Sequence, residues 1–324
     1  MNGTRIVWAE RKLPDFVVTN DDLAALVDTS DEWITTRSGI KTRRISRGES
    51  VSGLAAKVFM QLCAKAGITP ADVEILILAT VTPEYLTPQS SAFVLREAGA
   101  RNAFAIDINA ACTGFVYALS IADKMIRSGV YKNAMVISGD ILSKFTDWSD
   151  RGTCILFGDG SGGVFMEAKE GGSCILAEDL HTDGTDANVL RGGRIPLNNA
   201  WYKDEGPHEP FVIMDGRAVF DFLLKEIPQS INRILASANL TMDDIKYVVP
   251  HQANAKMIEG VAKKLKTDMS KFYMTIAKYG NTSSSTMPIA MSELFEQGLL
   301  QPGDKIIVTG FGAGLTWGSL ILEI

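Results

Sequence analysis

The sequence predicts an α/β fold made of two similar halves, in which largely parallel sheets are covered by helices. Apolar runs typical of buried strands alternate along the chain with amphipathic stretches typical of helices. This alternation is characteristic of parallel sheets that bury both faces under helices. A weak internal repeat, at an offset of roughly half the chain length, indicates that the α/β unit occurs twice.

Five apolar runs carry the strand prediction, and they lie at residues 73–79, 103–108, 134–138, 247–249 and 305–309. Between the second and third of these runs, Phe115, Leu119, Ala122 and Ile126 recur at the spacing of one helix face. This spacing predicts a helix that packs an apolar face inward.

The internal repeat is one of pattern rather than identity. Residues 68–77 resemble residues 240–249 at an offset of 172, since each segment combines a helix end, an acidic turn and a buried strand. Residues 133–139 resemble residues 304–310 at an offset of 171. Unrelated α/β units can share such patterns, so the spacing alone leaves the duplication open.

The repeat divides the chain into an N-terminal half at residues 1–172 and a C-terminal half at residues 173–324. An offset of 169 relates Cys112 to Asn281, and we expect both at strand-to-helix corners that a pseudo-twofold brings together. Residues 178–209 are rich in Gly, Asp and Asn and have little periodicity. They predict a long surface loop with at most a short hairpin, and such loops are often functional.

Composition restricts the class of protein. The 324 residues are 46% apolar and 22% charged, which suffices for one large core or two tightly packed domains. A net charge of −6 disfavours nucleic-acid binding outside a local basic patch. The first 14 residues hold no apolar signal segment, and no run approaches the roughly 20 apolar residues of a membrane span. We therefore expect a cytoplasmic protein that binds neither membrane nor nucleic acid.

Cys112 is the first candidate for chemistry. A predicted strand runs into small residues, then Cys112, then an amphipathic helix, whose N-terminal amides and dipole would stabilise the nucleophilic thiolate. A buried structural cysteine is the common alternative. The four cysteines show no C-x-x-C spacing, which disfavours a structural zinc site, and we assign no role to Cys63, Cys154 or Cys174.

His251 and Asn281 complete the set of chemical candidates. His251 follows a predicted strand and precedes a helical stretch at residues 255–265, so its ring can face a cleft, although a helix cap is the alternative interpretation. Asn281 lies in a Gly-Asn corner before a predicted helix, and an ordinary turn with capping residues would look the same. Each signal is weak alone, but together they place Cys, His and Asn at three corners.

Six motifs, taken in chain order, identify a family: residues 28–40, the segment around Cys112, residues 147–153, Pro-His-Gln-Ala-Asn at 250–254, Tyr-Gly-Asn-Thr-Ser at 279–283, and Gly-Phe-Gly-Ala-Gly-Leu-Thr-Trp-Gly at 310–318. They resemble β-ketoacyl-acyl carrier protein synthase III, the initiating condensing enzymes of type II fatty acid synthesis. The resemblance covers nearly the whole chain. It implies a thiolase-like fold with five αβαβα layers and a homodimer. It also implies no cofactor besides the acyl-CoA substrate, and no metal.

The resemblance also implies how the reaction is carried out. Cys112 would be acylated by acyl-CoA, and the backbone N–H groups of Cys112 and Ala313 would form the oxyanion hole for the acyl carbonyl. His251 and Asn281 would donate hydrogen bonds to the thioester carbonyl of malonyl-acyl carrier protein and stabilise the enolate that forms as CO2 leaves.

Binding roles follow from the same resemblance. Trp33 and Arg151 would sandwich the CoA adenine. Further CoA-binding positions match at Thr29, Arg37 and Asn254. The carrier protein would meet a basic patch, although an ordinary solvated helix face is the alternative, at Lys256, Lys263 and Lys264. Thr87 would close the acyl pocket of a partner subunit, or would simply be a helix-entry residue before Pro88.

Two departures from the family pattern stand out. Residues 8–14 lack the usual glycine and tyrosine before Leu-Pro, which we expect to alter a strand end rather than the chemistry. Lys256 stands where many members have arginine, so the charge is kept but the planar fork is lost.

Three other functions compete with this interpretation. A ketosynthase or acyltransferase of secondary metabolism would share the Cys-His-Asn set but use another acceptor. A cysteine hydrolase also uses Cys, His and Asn, but its histidine must act as base for the thiol and water must enter. A non-catalytic binding protein fits least, because all three chemical positions are intact.

Overall fold

A computed structural model describes residues 2–324. The strands in this range are β1 (Asn2–Lys12), β2 (Val17–Thr19), β3 (Thr42–Arg44), β4 (Ile75–Ala79), β5 (Phe104–Ile108), β6 (Asn133–Ile141), β7 (Asp159–Glu170), β8 (Ile175–Thr182), β9 (Leu190–Arg191), β10 (Ile213–Met214), β11 (Tyr247–Pro250), β12 (Lys305–Gly312) and β13 (Thr316–Glu323). The helices are α1 (Asn20–Ala24), α2 (Asp31–Ser38), α3 (Val51–Ala66), α4 (Ser90–Ala98), α5 (Gly114–Arg127), α6 (Gly216–Ala238), α7 (Ala255–Leu265), α8 (Ile276–Tyr279) and α9 (Thr286–Glu296).

The two main sheets have the same topology. In the first sheet the order is β1-β7-β6-β4-β5, with β4 parallel to both β5 and β6 and with antiparallel β7 and β1 beyond β6. In the second sheet β11 is parallel to β12, and antiparallel β13 and β8 follow. A single parallel bridge between Val248 and Phe272 stands where the first sheet has β5. The predicted duplication is therefore confirmed, and the predicted division after residue 172 falls in the turn between β7 and β8.

Five layers result from the way helices cover these sheets. Helices α3 and α4 pack on the outer face of the first sheet, and α6 and α7 pack on the outer face of the second. Helices α5 and α9 lie between the sheets and contribute to one continuous apolar core. The αβαβα arrangement predicted by the resemblance is confirmed.

The predicted face of α5 is the one that enters the central core. Phe115, Leu119, Ala122 and Ile126 are all fully buried, as their spacing predicts. Burying one large apolar side chain contributes about 1.5–3 kcal/mol, so this single face accounts for a substantial stabilisation. The five predicted apolar runs are also strands, namely β4, β5, β6, β11 and β12.

One predicted loop was partly wrong. Residues 178–182 belong to β8, which pairs with β13 at the edge of the second sheet. The strand is half-exposed and contains charged residues, so it lacks the continuous apolar run by which the other strands were recognised. The remainder of the predicted loop is largely exposed, and its short hairpin is the pairing of β9 with β10.

No helix within residues 2–324 is long and apolar enough to cross a membrane.

Candidate active site

Cys112, His251 and Asn281 lie in the wall of one cavity. The cavity has a volume of about 910 Å³ and is lined by residues from both halves of the chain. The three residues were predicted from separate segments, and the duplicated fold brings those segments together at the junction of the halves.

Cys112 lies on a tight corner between β5 and α5. It is part of the short turn Ala111–Thr113, in which Ala111 has a φ of +45°, a conformation that costs a non-glycine residue about 1–3 kcal/mol. The end of β12 packs against this turn, and a Cβ on Gly312 would lie 2.6 Å from the amide nitrogen of Cys112. Only glycine permits this approach, which brings the adjoining Ala313 into the cavity wall beside Cys112.

The helix N-terminus does not by itself make Cys112 a thiolate at rest. The Cys112 side chain is accessible from the cavity, but protein atoms surround it, and this burial raises the pKa of its thiol to about 12. Its hydrogen-bond partner, the Ser283 hydroxyl at 3.7 Å, and the helix that follows do not offset the desolvation. At neutral pH Cys112 is therefore a thiol, and its proton must leave during the reaction.

His251 is buried directly after β11. Its side chain is 2% exposed, its ring lies 5.3 Å from that of Phe311 in an edge-on arrangement, and Nδ1 lies 2.8 Å from Oγ1 of Thr286. Burial lowers the pKa of His251 to about 3, because the cation would lose its hydration. The imidazole is therefore neutral at physiological pH.

Asn281 does not follow a strand, contrary to prediction. It comes after the short helix α8 and Gly280, because the strand expected there is reduced to the bridge at Phe272. Asn281 is held instead by a bridge to residues 156–158, in which its N–H donates to Leu156 O and its carbonyl accepts from Gly158 N–H, both at 2.9 Å. Its Oδ1 accepts from the backbone N–H of Ser283 at 2.8 Å, so Nδ2 is the side-chain atom available to donate into the cavity.

The cavity wall is cationic although the whole chain is acidic. Its lining contains four cationic side chains and, among the residues the structure describes, no carboxylate. The cations are Arg37, Arg191, Arg217 and Lys256. Three of them have carboxylate partners outside the lining: Arg191 forms a bidentate ion pair with Glu209, with Nη2–Oε1 at 2.7 Å, Lys256 lies 3.0 Å from Glu259, and Arg217 lies 4.0 Å from Asp221. The wall itself therefore presents only cations to a ligand, which favours an anionic one.

The start of α6 forms a part of the cavity wall that the sequence interpretation missed. Met214, Arg217 and Phe220 line the cavity, and Asp215 caps the helix by accepting from the N–H groups of Arg217 and Ala218. The acidic cap was a readable signal for a helix start. That this helix start faces the site could not be read locally.

The predicted adenine sandwich has a different geometry in this structure. The guanidinium of Arg151 lies 4.8 Å from the ring centroid of Trp33, and that of Arg37 lies 4.6 Å from it. Stacked ring centroids are about 4.5–7 Å apart, so both guanidinium groups lie within stacking distance of the Trp33 ring. A base that stacks on Trp33 would have to displace one of them.

The other predicted binding residues fall into two groups. Arg37, Asn254 and Lys256 line the cavity, and Asn254 also caps α7 by accepting from the N–H of Lys256 at 2.8 Å. The remaining predicted positions lie outside the cavity wall of their own chain: Thr29, Trp33, Thr87, Arg151, Lys263 and Lys264. Within residues 2–324 no group of three or more His, Cys, Asp or Glu side chains could hold a metal ion.

The duplicated five-layered fold, with a cysteine, a histidine and an asparagine at one central cavity, defines a condensing enzyme of the thiolase fold. Residues 106–184 match the family described as 3-oxoacyl-[acyl-carrier-protein (ACP)] synthase III, and residues 235–324 match the C-terminal part of that family. The chain belongs to this family, and it is an acyltransferase-type enzyme.

Individual relatives agree over the full length. A beta-ketoacyl-[acyl-carrier-protein] synthase III from Clostridium acetobutylicum is 43% identical over 323 residues, which covers 100% of this chain and 99% of the relative. The crystal structure of 3-oxoacyl-[acyl-carrier-protein] synthase III from Aquifex aeolicus VF5 is similar with a TM-score of 0.92 and 38% identity, covering 99% of this chain and 100% of that chain. The priming beta-ketosynthase of the R1128 polyketide pathway has a TM-score of 0.92 and 29% identity, covering 99% and 96%.

The buried, neutral state of His251 predicts a pH dependence of stability. The pKa falls from 6.5 in the unfolded chain to about 3 in the fold, so the unfolded state binds the extra proton between these values and stability is lost as the pH falls through this window. Between pH 7 and pH 5 we expect the free energy of unfolding to drop by about 2 kcal/mol more in the wild type than in His251→Gln. Urea denaturation of both proteins at both pH values measures this difference, and equal losses would contradict a buried neutral imidazole.

Proposed function

We propose that this chain condenses an acyl-CoA starter with malonyl-acyl carrier protein, releasing CO2 and giving 3-oxoacyl-acyl carrier protein, the first elongation step of type II fatty acid synthesis. One observation carries the proposal: Cys112, His251 and Asn281 meet at a single cavity whose wall holds cations and no carboxylate. A nucleophile, two polar groups beside it and a cationic entrance suit a thioester carried on a phosphopantetheine arm.

In the first half-reaction Cys112 attacks the acyl-CoA carbonyl. The thiol loses its proton, a bond forms between Sγ and the carbonyl carbon, and the CoA thiolate leaves. The backbone N–H groups of Cys112 and Ala313 stabilise the tetrahedral oxyanion, and the close packing of Gly312 on Cys112 supports their convergence. The product is an acyl-enzyme.

In the second half-reaction malonyl-acyl carrier protein replaces CoA. The malonyl carboxylate leaves as CO2, and the electron pair forms an enolate whose oxygen is stabilised by hydrogen bonds from Asn281 and His251. The enolate carbon attacks the acyl carbonyl, and Cys112 is released. The Nδ2 of Asn281 suits this role because its Oδ1 is already engaged by Ser283.

Binding of the CoA moiety uses the mouth of the same cavity. Arg37 and Lys256 in the wall attract the phosphates, and Trp33 stacks on the adenine once one of the two guanidinium groups has moved from its present position over the indole. Thr29 and Asn254 contribute polar contacts. The reaction as written uses no cofactor beyond its two substrates.

Two alternatives are less favoured. The priming polyketide ketosynthase shares the fold and 29% of residues with this chain, whereas a relative named beta-ketoacyl-[acyl-carrier-protein] synthase III shares 43%. A hydrolase would need water at the acyl-cysteine, but apolar side chains, including Leu142, Phe145 and Phe157, line much of the cavity.

We further propose a cytoplasmic homodimer joined through β5. This strand forms an open edge of the first sheet, and its Phe104 is 44% exposed. The segment that contains Leu86, which is 80% exposed, meets the strand through Gln89, whose Nε2 donates to the carbonyl of Ala105 at 3.0 Å. An exposed edge strand with apolar neighbours is normally covered by a partner. In such a dimer Thr87 reaches the acyl pocket of the other subunit.

The two half-reactions separate the roles of the three residues. Cys112→Ala should abolish the acyl-enzyme, whereas Asn281→Ala and His251→Ala should still allow some acylation but lose condensation by about 10²- to 10³-fold each, as for other oxyanion donors. Mass spectrometry after incubation with acyl-CoA reports the first step, and ketoacyl product formation with malonyl-acyl carrier protein reports the second. Cys63→Ala, in the core of α3, is the matched control. Normal condensation by both donor variants would disprove the assignment.

The carrier protein is expected to dock on α7. Lys263 and Lys264 are exposed in the last turn of this helix, whose first turn carries Lys256 into the cavity wall. Reversing Lys263 and Lys264 to Glu should raise the apparent KM for malonyl-acyl carrier protein and leave acylation by acyl-CoA nearly unchanged, because charge steers the acidic partner. Lys57→Glu with Lys132→Glu makes the same change in net charge at exposed positions of the first half. Equal losses on both substrates would point to misfolding instead.

Thr87 sets the expected range of starters. Threonine leaves a deeper pocket than a bulky aromatic residue would, and each further buried methylene contributes about 0.8 kcal/mol until the pocket ends. We expect the enzyme to accept straight or branched starters longer than acetyl, and Thr87→Phe to reduce activity on these far more than on acetyl-CoA. A panel of acyl-CoAs measures the profile. A wild type restricted to acetyl-CoA, or an unchanged profile in the variant, would show that another residue closes the pocket.

A further inference from the structure

The hydroxyl of Thr286 lies against His251 and two backbone groups. Its Oγ1 is 2.8 Å from Nδ1 of His251, 2.9 Å from the carbonyl oxygen of Ser283 and 3.2 Å from the amide nitrogen of Gln252. All four residues are at most 2% exposed, so water does not complete these contacts. Thr286 is thus the polar side chain behind the imidazole.

Counting hydrogens assigns the direction of each contact. A hydroxyl has one hydrogen to donate and two lone pairs that accept. The Ser283 carbonyl can only accept, so it receives the Thr286 hydrogen, and the Gln252 N–H can only donate, so it occupies one lone pair. The remaining lone pair faces Nδ1 of His251, which must therefore carry a hydrogen.

The charge state of the ring fixes the state of its other nitrogen. Because burial keeps the ring neutral, it carries a single hydrogen, and a hydrogen on Nδ1 leaves Nε2 with a lone pair.

We propose that Thr286 is a positioning residue that holds neutral His251 as the Nδ1–H tautomer, so that Nε2 enters the reaction cycle as a proton acceptor. This inference rests on the proposed function and refines it, because an unprotonated Nε2 cannot donate to a malonyl thioester. Nε2 becomes a donor only after it has taken up a proton. Asn281 is the donor of the pair from the outset.

The proton balance closes over the cycle. In acylation the Cys112 S–H bond breaks, its proton passes to Nε2 directly or through one water, and Nε2 gives it to the CoA thiolate as that group leaves. The ring is then neutral again, as its lowered pKa requires. When malonyl-acyl carrier protein has bound, its carboxylate favours the imidazolium, so Nε2 takes up one proton from solvent and donates a hydrogen bond to the thioester carbonyl while CO2 departs. When the new C–C bond has formed and Cys112 is expelled as a thiolate, that proton passes from Nε2 to Sγ.

Nitrogen-15 NMR of histidine-labelled protein at pH 7 tests the tautomer directly. The chain has three histidines, and His251→Gln identifies the His251 signals by their loss. We expect a protonated, pyrrole-type Nδ1 and an unprotonated, pyridine-type Nε2 in the substrate-free wild type. A protonated Nε2 would overturn the proposal.

Variants at Thr286 test its role. Thr286→Val removes the acceptor, so we expect a mixture of tautomers and acylation slowed about 10- to 100-fold, as for other side chains that orient a functional histidine. Thr286→Ser keeps the hydroxyl and should keep both the tautomer and the rate. Thr282→Val is the matched control, because the Thr282 hydroxyl is buried close by without a hydrogen-bond partner. A Thr286→Val protein that is slow but retains the Nδ1–H tautomer, or that keeps its rate, would refute the positioning role.

Failure of the proposed function is distinguishable from failure of this inference. The tautomer is measured without substrate, whereas the acyl-enzyme and the ketoacyl product are measured by mass. Product formation by a protein whose Nε2 is protonated would leave the function standing and refute the inference. Signals with the Nδ1–H pattern and no acyl-enzyme would refute the proposed function alone.

Discussion

The site depends on one residue, Ser283, which contacts Asn281 and Cys112 directly and His251 through Thr286. Its N–H fixes Oδ1 of Asn281, its carbonyl accepts from Thr286 behind His251, and its hydroxyl lies 3.7 Å from Sγ of Cys112. These directions are possible because Ser283 has a φ of +57°, a conformation that surrounding contacts must hold in place. It is held between the two halves, where the neighbouring Ser284 hydroxyl bonds to Ser138 on β6 at 2.5 Å. Ala111, the other non-glycine residue with a positive φ at this site, lines the same cavity and adjoins Cys112.

Desolvation is the second constraint, and it acts on both Cys112 and His251, between which the first proton transfer takes place. Burial raises the pKa of Cys112 to about 12 and lowers that of His251 to about 3, so both are neutral at rest. Burial also strengthens every later electrostatic contact of these two side chains, because protein atoms screen charge less than water does.

Duplication explains why Cys112 and Asn281 meet at one cavity, but it does not explain why the local structure around them differs. Both halves have the same order of strands, so Cys112 and Asn281 approach the pseudo-twofold from equivalent regions. The halves then diverge at the edge strand. In the first half β5 is complete and leads into the Cys112 turn, whereas in the second a single bridge at Phe272 remains. The residues after Phe272, which do not continue as a strand, form α8 and the loop that carries Asn281. This loop pairs with residues 156–158 of the other half.

The sequence by itself determined the α/β class, the five buried strands, the duplication pattern and the identity of the candidate residues, because apolar periodicity and corner motifs are local properties. The sequence did not predict β8, because this edge strand contains charged residues and has no continuous apolar run. It is stabilised by pairing with β13. Only the tertiary structure decided the ionisation of Cys112 and His251, the stacking of Arg151 on Trp33 and the contacts of Ser283 and Thr286. Each of these depends on groups distant in the chain: Ser283 reaches Cys112 across 171 positions, and Thr286 reaches His251 across 35. Desolvation and hydrogen-bond direction are properties of that assembled surrounding, which no local pattern encodes.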